Sequence, residues 1–318
     1  MKSYSFCLCL LSIGFGVSQT VGAQGMGMGA GAGAGADTIV QLSESVFRRG
    51  ATSNIFIVTD EGIVVVDGTC GGGGQEWLKE ELARRYDVPV KYVILSHDHE
   101  MHICGLQAFD DTAVTVAHVN AQIHISGEGR NTSMPDVVFN DYMEINLGGK
   151  KIVLYYFGPT HSDNLIQVHF PEEGILVATD MVRSGKAIGL PDYRDSNVNN
   201  LIDALGELSR LDDVDIVVPG HAGLADQQSF VYFREWLVAL KSRVLAEMIA
   251  GASIEEILER VRMEDFADYG NYENWLRPNV ISMWDYLYRW REPSEGLGPY
   301  QNEYPVGFPL GGTQMGPE

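Results

Sequence analysis

Hydrophobic spacing along the first third of the chain predicts a hairpin followed by alternating strands and helices. Two β-branched runs, residues 54–59 and 63–66, flank a polar turn that ends in Gly62, which is typical of a hairpin. The next predicted elements are, in order, a helix from Trp77 to Ala83, strands at 91–95 and 113–117, and a helix near 119–125.

Two more hairpins are predicted in the middle of the chain. The strands of the first, 142–147 and 151–157, join across Gly148-Gly149, a strong turn signal. The remaining predicted elements are strands at 164–170 and 174–179, a helix at 198–208 and a strand at 216–218. Hairpins around a strand–helix alternation predict an α/β protein with two mixed sheets packed face to face and helices outside.

Beyond the predicted main domain, residues 38–225, the pattern becomes helical. Helices are predicted at 230–249, 254–261 and 280–290, with a capping box formed by Ser253 and Glu256 at the start of the second. We expect residues 226–318 to form a helical C-terminal section packed on the core. The aromatic residues of its last helix predict a buried face, with a substrate-cleft wall as the alternative: Trp284, Tyr286, Tyr288 and Trp290.

The N-terminus has the organisation of an export signal. Lys2 precedes an apolar run at residues 6–17, and Val21-Gly22-Ala23 forms a small-x-small cleavage site. We therefore expect a signal peptide at 1–23, followed by a flexible Gly/Ala-rich linker at 24–37. This organisation predicts a secreted or periplasmic protein.

The charge of the chain limits the kinds of molecule that we expect it to bind. The formal net charge is −21, and a surface this acidic repels phosphate backbones and anionic lipid. We expect a small-molecule substrate, with neither nucleic acid nor stable membrane association. Cys70 and Cys104 remain after signal removal, and three states are open to them: buried thiols, a disulfide or a soft metal ligand.

Histidine placement is the strongest functional signal. His97, His99 and His102 fall within six residues, just after a predicted apolar strand, on what we expect to be a loop. Other candidate ligands also follow predicted strands: His161, Asp180 and His221. Neutral imidazoles gathered at one sheet edge are typical of a zinc site, and catalytic sites usually have three protein ligands and a water.

In their order along the chain, these segments resemble the metallo-β-lactamase superfamily, whose signature begins His-x-His-x-Asp-His. The resemblance covers residues 54–221 and includes Val66-Asp67-Gly68, Gly158-Pro159-Thr160-His161 and Val218-Pro219-Gly220-His221. It implies a four-layer αββα sandwich. It also implies two metal groups, the first held by His97, His99 and His161 and the second by His102, His221 and Asp180, with Asp180 on the second metal or bridging both.

The motif departs from the family at two positions. Met101 replaces the usual Asp, and Cys104 replaces a usual Gly. A thioether is a poor zinc ligand and accepts no proton from water. If Met101 points into the second site, we expect one or two Zn²⁺ per chain, with the second held more weakly; iron is also possible.

The chemistry implied by the resemblance is hydrolysis. A metal-bound hydroxide would attack a cyclic amide, a lactone or another ester, as in β-lactamases. Asp180, or alternatively Glu100, would replace the missing Asp as the catalytic group, and Asp67 would hold the outer N–H of a ligand imidazole. A mononuclear iron oxidoreductase acting on sulfur compounds is an alternative that would use His97, His161 and Asp180. A catalytically degenerate binding protein is a further alternative.

The remaining histidines match no ligand motif. We expect His118, His124 and His169 to be surface or packed residues. Asp98 and Glu100 alternate with the ligands and are expected to face away from the metal.

Overall fold

The computed structural model describes residues 37–189, 192–193, 196–221 and 223–290, without the side chain of Trp290. The predicted signal peptide and all but the last residue of the predicted linker lie outside these ranges. Across the described ranges, the strands form one seven-stranded and one five-stranded sheet.

The first sheet has an antiparallel half and a parallel half. Its strands follow chain order: β1 (Ile39–Gln41), β2 (Val46–Arg49), β3 (Ile55–Val58), β4 (Ile63–Val66), β5 (Val90–Ile94), β6 (Val114–His118) and β7 (Val137–Phe139). β1 to β4 pair antiparallel, and β4 to β7 pair parallel. Parallel strands need crossover connections, which contain the helices α1 (Gly74–Arg85), α2 (Glu100–Ile103) and α3 (Ala121–Glu128).

The second sheet is also mixed. Its strands are β8 (Tyr142–Leu147), β9 (Lys150–Tyr155), β10 (Gln167–Phe170), β11 (Ile175–Val177) and β12 (Ile216–Val218). All neighbours pair antiparallel except β11 and β12, which are parallel and connected through α4 (Val198–Leu208). The chain then continues through α5 (Gln228–Ile249), α6 (Ile254–Arg260) and α7 (Tyr272–Trp290).

Alternation of side chains along the strands produces the layers. Ile55 and Ile57 belong to the apolar cluster between the sheets, whereas Phe56 belongs to the cluster that contains Leu78 of α1. In the second sheet, Leu176 packs in a third cluster with Trp236 of α5. The order of layers is therefore helices, sheet, sheet, helices, and the predicted αββα sandwich is confirmed.

Several element boundaries differ from the prediction. The strands β1, β2 and β7 have only three or four residues and were not predicted, because their main signal is backbone pairing with a neighbour. The strand predicted at 164–170 begins at Gln167, because Asn164 turns toward Asp98 and hydrogen-bonds it. His102 lies on the short helix α2 rather than on a loop.

The C-terminal helices cover the second sheet. The predicted capping box is present, since Ser253 and Glu256 bond each other's backbone. Helix α7 begins at Tyr272, earlier than predicted, and contains Pro278. Of its aromatic residues, Tyr286 is buried and its hydroxyl accepts a hydrogen bond from Val198 N, whereas Tyr288 is 65% exposed, so the prediction of a buried face is wrong for Tyr288. Within the described ranges, none of the helices combines the length and apolar character needed to span a bilayer.

Glu173 links the two sheets through a buried hydrogen-bond network. It accepts hydrogen bonds from Lys150 Nζ at 2.6 Å, from Ser45 Oγ at 2.6 Å and from Ser43. Burial alone would raise the pKa of Glu173, but these donors lower it to about 2. The carboxylate therefore stabilises the fold above its ordinary pKa near 4.5, and this contribution disappears as the pH falls toward 2.

Glu173→Gln should reduce the free energy of unfolding by about 2 kcal/mol at pH 7, because the amide keeps the shape but loses the charge. The difference from the unaltered protein should shrink as the pH falls from about 5 to about 2. Urea unfolding at several pH values measures this difference, and Glu61→Gln, at an exposed glutamate, is the control. A loss in the free energy of unfolding that does not change with pH would show that the charge of Glu173 is not its cause.

Candidate metal centre

The predicted ligands meet at one edge of the sandwich. Each follows a strand at its carboxyl end: His97 follows β5, His161 follows β9, Asp180 follows β11 and His221 follows β12. The structure therefore brings together residues that are up to 124 positions apart (221 minus 97). Their donor atoms form two groups that share Asp180.

The first group contains His97, His99 and His161 with Asp180, and its donor atoms all lie within 4.8 Å of one another. His161 Nε2 is 3.1 Å from His99 Nδ1 and 3.5 Å from Asp180 Oδ2. His97 Nε2 is buried and has no hydrogen-bond partner among the described residues. A buried nitrogen without a partner is costly, so this atom fits a metal ligand.

The second group contains His102, Asp180 and His221. Asp180 Oδ2 lies 3.0 Å from His102 Nε2, and its other oxygen lies 3.0 Å from His221 Nε2. Asp180 thus contacts both groups, with one oxygen directed at His102 and His161 and the other at His221.

Asp180 is held in an unusual state. Its backbone has φ +58, in the left-handed region that non-glycine residues rarely adopt. Burial alone would raise the pKa of its carboxyl, but the surrounding histidines, chiefly His102, hold that pKa well below its ordinary range. The carboxylate is therefore ionised at neutral pH and can balance the charge of bound cations.

Two imidazoles of the first group, those of His97 and His161, are held neutral. Burial lowers the pKa of His161 to about 4 and places that of His97 well below its ordinary value. Neutral imidazole is the form that ligates metal, so both rings are ready to bind at neutral pH. In contrast, Asp180 raises the pKa of His102 against the effect of burial.

Asp67 acts on a ligand imidazole through a serine. It accepts hydrogen bonds from Ser96 N at 2.8 Å and from Ser96 Oγ at 2.9 Å, and Ser96 Oγ lies 2.9 Å from His97 Nδ1. Its nearest approach to an imidazole is 3.9 Å, to His102 Nδ1. The prediction of a direct bond from Asp67 is therefore wrong, because the Ser96 hydroxyl stands between the carboxylate and His97.

Other supporting residues were missed by sequence reasoning. Ser53 Oγ lies 2.8 Å from His102 Nδ1 and orients that ring from the β2–β3 loop. Asn200 donates to Pro159 O at 2.8 Å, which fixes the turn before His161. Gly158 in this turn has φ +79, and a Cβ there would lie 2.8 Å from Asn200 Nδ2. In the sequence, the only sign of this turn is the turn-forming pair Gly158-Pro159 before His161.

The non-ligand histidines lie where they were expected. His118 is buried and stacks on Tyr156, and His169 bonds Asp213 O at 2.8 Å. His124 pairs with Asp163 at 2.9 Å, at the edge of a cavity of about 510 Å³ that reaches His99. Asp98 and Glu100 face away from both metal groups, toward Arg130.

Comparison with known proteins shows the family of the chain. The model of the family "Metallo-beta-lactamase superfamily" matches residues 48–221. The chain belongs to the metallo-beta-lactamase superfamily.

Individual relatives are distant. A metallo-beta-lactamase type 2 of Bacillus sp. (strain 170) is 25% identical over 177 residues, 55% of this chain and 68% of that protein. The 2,4-dinitroanisole O-demethylase subunit alpha of Nocardioides sp. (strain JS1661) is 25% identical over 234 residues, 71% of this chain and 65% of that protein. A solved metallo-beta-lactamase from Pontibacter korlensis shares the fold, with a TM-score of 0.57, 22% identity and coverage of 63% of this chain and 98% of that one. Family and ligand set together support a metal-dependent hydrolase.

The two departures from the family motif lie on α2 and directly after it. Met101 is 48% exposed, so the expectation that its side chain points into the second metal group is wrong. The short helix turns position 101 toward solvent while His102, its neighbour, is buried. Cys104 is joined to Cys70 in a disulfide, which resolves the three alternatives left open by the sequence.

One cation beside the metal centre was not expected. Arg183 is half-buried, three residues after Asp180, and its guanidinium lies 5.3 Å from the centroid of the Trp275 ring. Burial lowers the pKa of Arg183, and Asp180 opposes that shift. Across the described part of the chain, no hydrogen bond or ion pair engages its guanidinium.

Proposed function

We propose that this protein is a secreted zinc hydrolase that acts on an anionic lactam, lactone or ester. The supporting observation is that five imidazoles and one carboxylate form two donor groups that share Asp180. Imidazole and carboxylate donors suit zinc, and the partnerless His97 Nε2 fits a ligand position. His97, His99 and His161 would hold the first cation, and His102, His221 and Asp180 the second.

A bound cation would supply Lewis-acid chemistry, polarising a substrate carbonyl and lowering the pKa of water in the site. The protein's own carboxylate, Asp180, would then orient that water by accepting a hydrogen bond from it. Its depressed pKa keeps it ionised for this purpose. Glu100, the alternative considered from sequence, is exposed and directed toward Arg130, so Asp180 is the catalytic residue in this proposal.

Arg183 gives the proposal its substrate class. A half-buried guanidinium that forms no ion pair with the described residues and whose charge acts on both His102 and Asp180 is suited to bind a substrate carboxylate. The Trp275 ring would hold the guanidinium in place while it binds. The relatives named as metallo-beta-lactamases support lactams as the first compounds to test.

Arg183→Ala should lower kcat/KM for an anionic substrate by about 10- to 100-fold, chiefly through KM, because a charge-assisted hydrogen bond is lost. A panel of β-lactams, lactones and aryl esters, assayed with and without chelation, measures this effect. Arg183→Lys should retain part of the activity, and neutral esters should be hydrolysed equally by all three proteins. An equal loss on neutral esters would contradict the anion-binding role.

The geometry favours a hydrolase over an iron oxidoreductase. A single-iron enzyme using His97, His161 and Asp180 leaves no role for the second donor group, which the fold nevertheless assembles. Metal analysis of protein purified without chelator, together with an oxygen-uptake assay, separates the two. Bound iron with oxygen uptake would favour the oxidoreductase. A protein that hydrolyses none of the substrates and takes up no oxygen would favour a degenerate binding protein.

Secretion is supported by the disulfide as well as by the predicted signal. Disulfides persist in oxidising compartments and are rare in the cytosol. Mass spectrometry of the mature N-terminus should find a chain that begins at Gln24.

A further inference from the structure

Helix α2, which presents His102, is too short to stabilise itself. It has four residues, and its defining backbone bonds are His102 N to His99 O at 2.9 Å and Cys104 N to Glu100 O at 3.1 Å. Its N-cap residue, His99, makes no side-chain capping bond. Because a single helical turn is unstable in isolation, contacts outside the helix must hold it in place.

The Cys70–Cys104 disulfide supplies such a contact at the end of α2. Cys104 follows His102 by two positions, and Cys70 lies in the segment just after Asp67. The Cα atoms of the two cysteines are 5.5 Å apart, and Cys70 Sγ lies 3.3 Å from Glu100 O. In the same segment, Gly68 N donates a hydrogen bond to His102 O. The disulfide and this hydrogen bond together hold the His102 backbone against the segment that carries Asp67.

The second donor group depends on this fastening more than the first does. It has only His102, Asp180 and His221, and the half-exposed Met101 adds no donor from α2. The hydrogen bond from Ser53 reaches the His102 ring at Nδ1, so it orients the ring without holding the backbone of α2. Displacement of α2 would therefore remove one of three ligands.

We infer that the Cys70–Cys104 disulfide is a positioning element of the second metal site. It holds α2 so that His102 Nε2 faces Asp180 and His221. This inference rests on the proposed function, because it concerns the second of the two proposed cations.

The double variant Cys70→Ala/Cys104→Ala tests the inference without introducing a new ligand. In calorimetric titration of stripped protein with Zn²⁺, the second-site affinity should fall about 10-fold or more, as for loss of a group that orients a ligand. The first-site affinity should change less, because His97 and His161 lie outside α2. Glu173→Gln, which is destabilised far from α2, should titrate like the unaltered protein. An unchanged second site, or equal losses at both sites, would overturn the inference.

A second measurement uses the unaltered metal-free chain and does not require the double variant to fold. After reduction by a phosphine, the amides of His102 and Cys104 should exchange with deuterium about 10-fold faster or more. The Leu205 amide in α4 should not change. Unchanged exchange at His102 and Cys104 would also overturn the inference. Failure of His97, His99 and His161 to bind any zinc would instead contradict the proposed function.

Discussion

Replacement of His161 by alanine should remove most of the first bound metal. His161 Nε2 lies within 3.5 Å of both His99 Nδ1 and Asp180 Oδ2, so its loss leaves two imidazoles in the first group. Loss of a group that only orients a ligand weakens metal binding about 10- to 100-fold, and loss of a ligand should exceed that range. Elemental analysis and zinc titration of the purified variants measure the effect.

His124→Ala is the matched control for His161→Ala. His124 is also a histidine near the cavity edge, but its ring pairs with Asp163 and belongs to neither of the two donor groups that share Asp180. Its replacement should leave the metal content unchanged. His118→Ala is a weaker control, because His118 is buried against Tyr156 and its loss should destabilise the fold. Equal metal loss in His124→Ala and His161→Ala would show that the ligand assignment is wrong.

The second large effect is expected for Asp180→Asn, which should weaken metal binding in both donor groups. Asparagine tolerates the left-handed backbone at φ +58, so the change removes charge while preserving shape. Without the carboxylate, two cations close together would repel each other with little compensation. We expect the second cation to be lost, the first to bind more weakly, and hydrolysis to fall about 100-fold or more, because the attacking water would lose the carboxylate that orients it.

Zinc titration and hydrolysis rates together test the role of Asp180. Asp163→Asn is the control, because Asp163 lies beside the cavity and contacts His124 rather than the metal groups. It should retain both cations. A variant Asp180→Asn that binds two cations as tightly as the unaltered protein would show that Asp180 is not a metal ligand.

The sequence alone predicted the layered fold and the residues that converge at the candidate metal centre. Strand alternation dictated which side chains face the sheet interface, since Ile55 and Phe56 must point in opposite directions. The ligands follow apolar strands, and the carboxyl ends of several strands meet at one edge. Local pattern was therefore sufficient to predict that His97, His161 and His221 converge.

Tertiary structure decided what depends on contacts between distant segments. The strands β1, β2 and β7, which lie at or next to the ends of the seven-stranded sheet, were not predicted and form through pairing with neighbours. Met101 has a motif position but faces solvent, because the single turn of α2 sets its direction. The relay from Asp67 through Ser96 and the pairing of Cys70 with Cys104 join segments about 30 positions apart. Spacing along a chain does not fix such distances; they are set only when the sheets and helices pack.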